Sequence, residues 1–146
     1  MRKLFFLVLL FAVVQSSNAQ QPAAKPIVKQ KWHFGEEQDT ALAYAQVVKV
    51  GNVLYVSGTV TRQLTAEGVR ELYGKLEKSL QHFGAGFQHV VKENLYTLDM
   101  EAMKRLSDVR KSFYRGDYPA ATWVQVQRLY EAELKLEVEL VAYLPD

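Results

Sequence analysis

None of the 146 residues is a cysteine, so no disulfide framework, thiol nucleophile or sulfur-ligated metal site is available. Histidine is almost as scarce. His33, His82 and His89 are the three, and none stands beside a second ligand type at metal spacing; no metal and no cofactor are expected. Glycine-rich phosphate cradles are missing: Phe83-Gly84-Ala85-Gly86 reads as a helix exit, not as a loop after a strand. Ser57 lacks the strand-turn-helix glycine pattern of a nucleophile elbow. Charge of one sign is not in excess either. Lysine and arginine number 18 against 16 acidic residues, and Arg2 and Lys3 alone account for the difference. The remaining chain is neutral and has no basic footprint for a phosphate backbone, so nucleic acid is not the expected partner.

Long apolar runs are also absent, with one short exception. Residues 4–14 are uninterruptedly apolar, follow Arg2 and Lys3, and precede the small residues Ser17-Asn18-Ala19. That is the layout of a signal peptide, residues 1–19, with cleavage expected after Ala19. The run is shorter than the ~20 residues that span a bilayer, so no stable membrane anchor is expected after signal cleavage. With no cysteine after the run, a lipoprotein anchor is excluded. The chain therefore reads as secreted or periplasmic.

Residues 20–30 hold two prolines and few large apolar side chains and read as a flexible leader. Residues 31–146 are long enough for one domain with one core. A short first strand is expected over 31–34. Two β-branched-rich runs, 43–50 and 52–57, flank Gly51-Asn52, a hairpin turn. Thr65 is placed to cap a helix whose apolar face is Val69, Leu72, Leu76, Leu80 and Phe83, with Gly84 beyond its end. A strand over 90–98 follows, then one helix over 101–114, a turn at Gly116-Asp117-Tyr118-Pro119, and strands over 121–129 and 135–143. In the last strand Leu136, Val138, Leu140 and Ala142 alternate with Lys135, Glu137, Glu139 and Val141, so the first set faces the helices. The order predicts an α+β layer: one mixed sheet packed by two helices.

Several short stretches resemble one family in order and spacing. They are Ala43-Tyr44-Ala45-Gln46, the strand from Gly51 to Gly58 ending in Ser57-Gly58, Val91-Lys92 through Asp99-Met100, and Ser112-Phe113-Tyr114. Tyr118-Pro119-Ala120-Ala121-Thr122-Trp123 and Leu136-Glu137-Val138-Glu139 complete the set. Together they resemble the reactive-intermediate deaminase family, also called Rid, YjgF, endoribonuclease L-PSP or translation-initiation-inhibitor-like. The resemblance implies a chorismate-mutase-like fold and a homotrimer with three small-molecule clefts between neighbouring subunits.

It also implies site residues. Tyr44 matches a tyrosine lining the pocket, and Ser57-Gly58 the pair facing the ligand. Glu137 matches the glutamate that positions or activates water, and is the candidate catalytic group. Ser107 falls where members often carry asparagine, and Trp123 where many carry a small residue. Ala121 is the main departure: deaminating members hold an arginine there that clamps the substrate carboxylate, which a methyl group cannot do. Arg128 is retained, but reads as an interface or surface residue. Arg62 and Arg110 read as solvated, as does the acidic cluster Glu36, Glu37 and Asp39.

Two functions stay open at this level. One is a divergent enamine or imine deaminase-type hydrolase that does not act on standard 2-imino acids, with Glu137 as base if burial raises its pKa. The other is a non-catalytic periplasmic trimer that binds a small neutral or aromatic molecule against Trp123 and Tyr44.

Overall fold

The computed structural model describes residues 25–36 and 40–145. The signal-peptide reading and most of the leader, with Glu37 and Asp39, lie outside these. Among the described residues no helix is long and apolar enough to cross a membrane.

The elements are β1 (Gln30–Trp32), β2 (Val47–Val50), β3 (Val53–Thr61), α1 (Ala66–Gln81), β4 (Val90–Thr97), α2 (Met100–Arg105), α3 (Ser107–Tyr114), β5 (Ala120–Gln125) and β6 (Leu136–Tyr143). The strands form one sheet in the order β1-β2-β3-β6-β4-β5. Every pairing is antiparallel except β4 with β5, which is parallel. The sheet is therefore mixed, as expected, and α2 and α3 form the crossover that lets β5 run parallel to β4.

Local chemistry accounts for the boundaries. Gly51 turns the β2–β3 hairpin at φ 56°, a conformation that costs glycine nothing. The Thr65 hydroxyl accepts the Gly68 amide and caps α1. Asp99 accepts the Ala102 amide and caps α2. The expected single helix over 101–114 is broken instead at Leu106, which leaves the helical region at φ −96°, ψ 5°. No proline or glycine marks that break in the sequence. The strand expected over 121–129 ends at Gln125, whose side-chain oxygen accepts the Met100 amide.

Val69, Leu72, Leu76 and Leu80 of α1 and Leu136, Val138, Leu140 and Ala142 of β6 are all buried in one core. Phe83 is only partly buried at its edge. The core lies between the helices and one sheet face. The other face carries Tyr55, Lys92, Asn94, Tyr96, Glu137, Glu139 and Val141, partly or fully exposed.

Candidate functional site

β3 carries the first group of site residues. Its register against β6 shifts between Val56 and Thr59, leaving Ser57 and Gly58 in a bulge. Bulges re-aim side chains and backbone, and this one sits against Glu137 of β6. The Gln46 side chain, 2% exposed, fixes it by donating to the Ser57 carbonyl (3.0 Å) and to the Thr59 hydroxyl (3.1 Å). Ser57 donates its hydroxyl to the Ala45 carbonyl at 2.7 Å and its amide to the Gln46 carbonyl at 2.9 Å. With its hydrogen so donated, the Ser57 hydroxyl oxygen is left as an acceptor. Tyr44 stands just before this frame, exposed, after Ala43 at φ 54°.

Glu137 lies against the bulge. A Cβ added at Gly58 would overlap its carboxylate, so only glycine leaves that carboxylate its place. Glu137 is half-buried. Burial first, and the neighbouring Glu139 charge second, push its pKa above the ordinary carboxylate value. Glu139 is itself held by Asn94 (2.7 Å) and the Tyr96 hydroxyl (3.1 Å). Beside it the sheet face dips into a concavity of about 250 Å³ lined in part by Tyr55, Ser57, Lys92, Asn94 and Glu139.

The second group sits on the opposite sheet face. Ala121 and Trp123 of β5 are in register with Glu93 and Leu95 of β4, whose side chains point toward the helices. Ala121 is exposed, whereas Trp123 and Ser107 are partly buried. Within one chain, then, Ser57, Gly58 and Glu137 come together, Tyr44 adjoins Ala45, which accepts the Ser57 hydroxyl, and Ala121, Trp123 and Ser107 belong to the other side. A single copy does not join the two groups.

The sequence reading missed the strongest electrostatic feature of this second group. Arg110 is not solvated; it is 7% exposed, and Glu93 is fully buried. Arg110 Nε donates to Glu93 Oε1 at 2.7 Å. The hydroxyls of Tyr73 (2.9 Å) and Tyr114 (2.7 Å) donate to Glu93 Oε2, and the Trp123 indole donates to Oε1 at 3.3 Å. The guanidinium lies over two rings, 4.8 Å from the Tyr114 centroid and 5.3 Å from that of Trp123. Burial and then the Glu93 charge hold both tyrosine pKa values well above ordinary, so both remain donors. At Arg110 burial pulls the pKa down, but the Glu93 charge, its hydrogen bond and the two phenols together outweigh it and raise the value. The alternation Glu93, Leu95, Thr97 was the available signal: the glutamate falls on the buried face of its own strand. Arg62, by contrast, is exposed and pairs with Glu131 at 2.6 Å on the surface.

A single mixed sheet with helices on one face, a bulged Ser-Gly strand and a glutamate folded onto the bulge define an α+β domain of chorismate-mutase-like architecture. Solved structures agree on the fold. A member of the YjgF/YER057c/UK114 family from Mycobacterium tuberculosis superposes with a TM-score of 0.73 at 24% identity, covering 80% of this chain and 100% of that one. A YjgF family protein from Neisseria meningitidis gives 0.69 at 21% identity, covering 82% and 98%. The family model described as endoribonuclease L-PSP matches residues 35–144; the chain belongs to that family. Among curated relatives, a RutC family protein of Pyrococcus abyssi is 27% identical over 109 residues, 68% of this chain and 85% of its own. The 2-iminobutanoate/2-iminopropanoate deaminase of Mus musculus is 29% identical over 108 residues, 68% of this chain and 79% of its own.

Proposed function

We propose that the protein is an exported small-molecule hydrolase of deaminase type, acting on an enamine or imine without the carboxylate of standard 2-imino acids. Its cleft is assembled between copies of the chain, most simply in a homotrimer. The observation that carries the reading is the Glu137 carboxylate seated on Gly58 with a raised pKa. A carboxylate held partly out of water beside acceptor-lined backbone is a suitable base for a water attacking a C=N carbon. On the protonated C=N group, attack forms a C–O bond, sends the C=N π pair to nitrogen, places one water proton on Glu137, and leaves a neutral carbinolamine. Return of that proton makes the nitrogen an ammonium leaving group; the C–N bond breaks as the hydroxyl oxygen forms C=O, and the hydroxyl proton passes to Glu137, releasing ammonia and the carbonyl product.

The limit on substrate follows from Ala121. A methyl group stands at the position that the family resemblance gives to an arginine, and the nearby Arg110 already donates to Glu93. A carboxylate lost from the anchoring scheme costs several kcal/mol of transition-state binding, or about a thousandfold in rate. Assembly from several copies is supported by the division of site residues between two sheet faces. The apolar Tyr55 at 51% exposure, with partly exposed Val48 and Val141 on the same face, adds to it. Export rests on the sequence of residues 1–19 and is checked by N-terminal sequencing of the protein recovered from its native compartment.

The test compares hydrolysis of freshly generated 2-iminopropionate with that of a neutral imine. Slow turnover of the first and Glu137-dependent turnover of the second are expected. Rapid hydrolysis of 2-iminopropionate refutes the substrate assignment. A second reading, a binding protein without turnover, is favoured by the Trp123–Arg110 stack, a ready platform for a planar ligand. A ligand recovered unchanged from the purified protein would select it.

A further inference from the structure

The family resemblance gives no role to position 93, yet the residue there receives more polar contacts than any other side chain described above. Its carboxylate is fully buried and takes four donors from four separate residues: Arg110, Tyr73, Tyr114 and Trp123. Both oxygens are used, each twice. A guanidinium flanked by two phenols and an indole is what a binding site for a carboxylate looks like, and here the carboxylate is the chain's own. The cage also borders the cleft. Glu93 is the register partner of Ala121, so the two side chains leave neighbouring strands on the same face, ~5 Å apart at Cβ. Trp123 contributes its indole N–H to the cage while remaining partly exposed.

We propose that Arg110, Tyr73, Tyr114 and Trp123 form a carboxylate site permanently filled by Glu93, and that Glu93 thereby sets the charge of ligand accepted on the Ala121–Trp123 side of the cleft. With Glu93 in place the pair is neutral, so an incoming carboxylate meets no uncommitted charge from Arg110. A neutral planar ligand meets the face or edge of Trp123. Removing the Glu93 carboxylate while leaving the four donors leaves a vacancy selective for small carboxylates.

This rests on the cleft reading for its meaning in specificity, but its chemistry is tested apart from that reading. Glu93→Ala is prepared with the otherwise unchanged chain, and its thermal midpoint is followed in chloride, formate and formamide at matched ionic strength. Formate is expected to raise the midpoint of the variant saturably, by several degrees, with formamide and chloride inactive and the parent protein unmoved. Glu93→Ala combined with Arg110→Met should lose the formate response. Formamide working as well as formate, or formate failing on the folded variant, overturns the proposal.

If Glu93→Ala does not fold in chloride, the volume-preserving Glu93→Gln is titrated with benzoate and benzamide, read at the Trp123 indole resonance. The benzoate-to-benzamide affinity ratio should rise tenfold or more over the parent. An unchanged ratio, or no benzoate binding by folded Glu93→Gln, overturns it. Formate rescue needs no cleft and no second copy of the chain. A rescued variant in a monomeric protein would therefore sink the cleft reading and leave the cage, whereas an unrescued variant in a trimer with a working cleft would sink the cage alone.

Discussion

Replacing Arg110 with methionine is the most demanding perturbation the fold offers. Methionine keeps much of the aliphatic length that packs against Tyr114 and Trp123, so packing loss is small and charge loss dominates. What remains is a carboxylate with no exposure, still bonded to two phenols and an indole but without its cation. Breaking a buried pair from one side costs about 3–5 kcal/mol, against a total stability of ~5–15 kcal/mol for a domain. Urea unfolding at fixed protein concentration should show that loss at neutral pH with an unchanged m-value. Glu93→Leu with Arg110→Met replaces both partners by apolar groups, and should be less damaging than the sum of the single changes by about 2–3 kcal/mol. A loss below ~1 kcal/mol for Arg110→Met at neutral pH would show that Glu93 and Arg110 are not a buried, charged pair.

Other outcomes follow from single positions. Gly58→Ala puts a methyl where the Glu137 carboxylate lies. Because that carboxylate ends a flexible side chain and can swing away, stability should fall by no more than ~1 kcal/mol, while any turnover that depends on Glu137 falls at least tenfold. Gly74, inside α1, has open space around a built Cβ; Gly74→Ala should stabilise by up to about 1 kcal/mol, seen as a thermal midpoint a few degrees higher. At Glu137 the folded-state pKa is raised, so the native state binds this proton more tightly than the unfolded chain does. Its ionisation therefore costs stability as pH rises from the ordinary glutamate value through the raised one. Glu137→Gln should be the more stable protein above that window, by ~0.5 kcal/mol or less after solvent screening, and should lose its advantage below it; the reverse order would exclude a raised pKa. Ala121→Arg adds a guanidinium that one Glu93 cannot neutralise together with Arg110, so hydrolysis of 2-iminopropionate should rise tenfold or more, and no rise would mean that the cleft differs beyond this residue.

What the sequence disclosed, and what it concealed, divide along physical lines. The helical face of α1 and the alternation of β6 were readable because burial there is apolar and periodic, and the residues expected inside are inside, apart from the partly buried Phe83. Gly51 and Thr65 were readable because turns and caps use few residue types for local reasons. The break at Leu106 left no trace, since no helix breaker occupies it. The extension of β3 past Ser57 to Thr61 was hidden because Gly58 reads as a strand end, whereas it is the bulge through which the strand continues. Arg110 was misjudged, and Glu93 passed over, for a different reason. A lone charge in a sequence is normally solvated, and its burial is decided by a partner seventeen positions away that reaches the core only when α3 packs on β4.

The placement of the candidate residues bears on the proposal that the cleft is shared between copies. β6 is an interior strand and its odd-numbered side chains face away from the helices, so Glu137 can reach only what lies on that face. β5 is an edge strand, and Ala121 and Trp123 face the helices, on the far side of the same sheet. No rotamer change carries either group through a hydrogen-bonded sheet. In the shared cleft proposed above, a ligand touching both would be held by one copy's β3–β6 face and another copy's β5 edge. Such an arrangement would also cover Tyr55 and Val141, both exposed or partly exposed on that face. If the isolated chain proved monomeric at micromolar concentration by light scattering, Glu137 and Trp123 would serve separate surfaces, and a shared cleft would have to be abandoned.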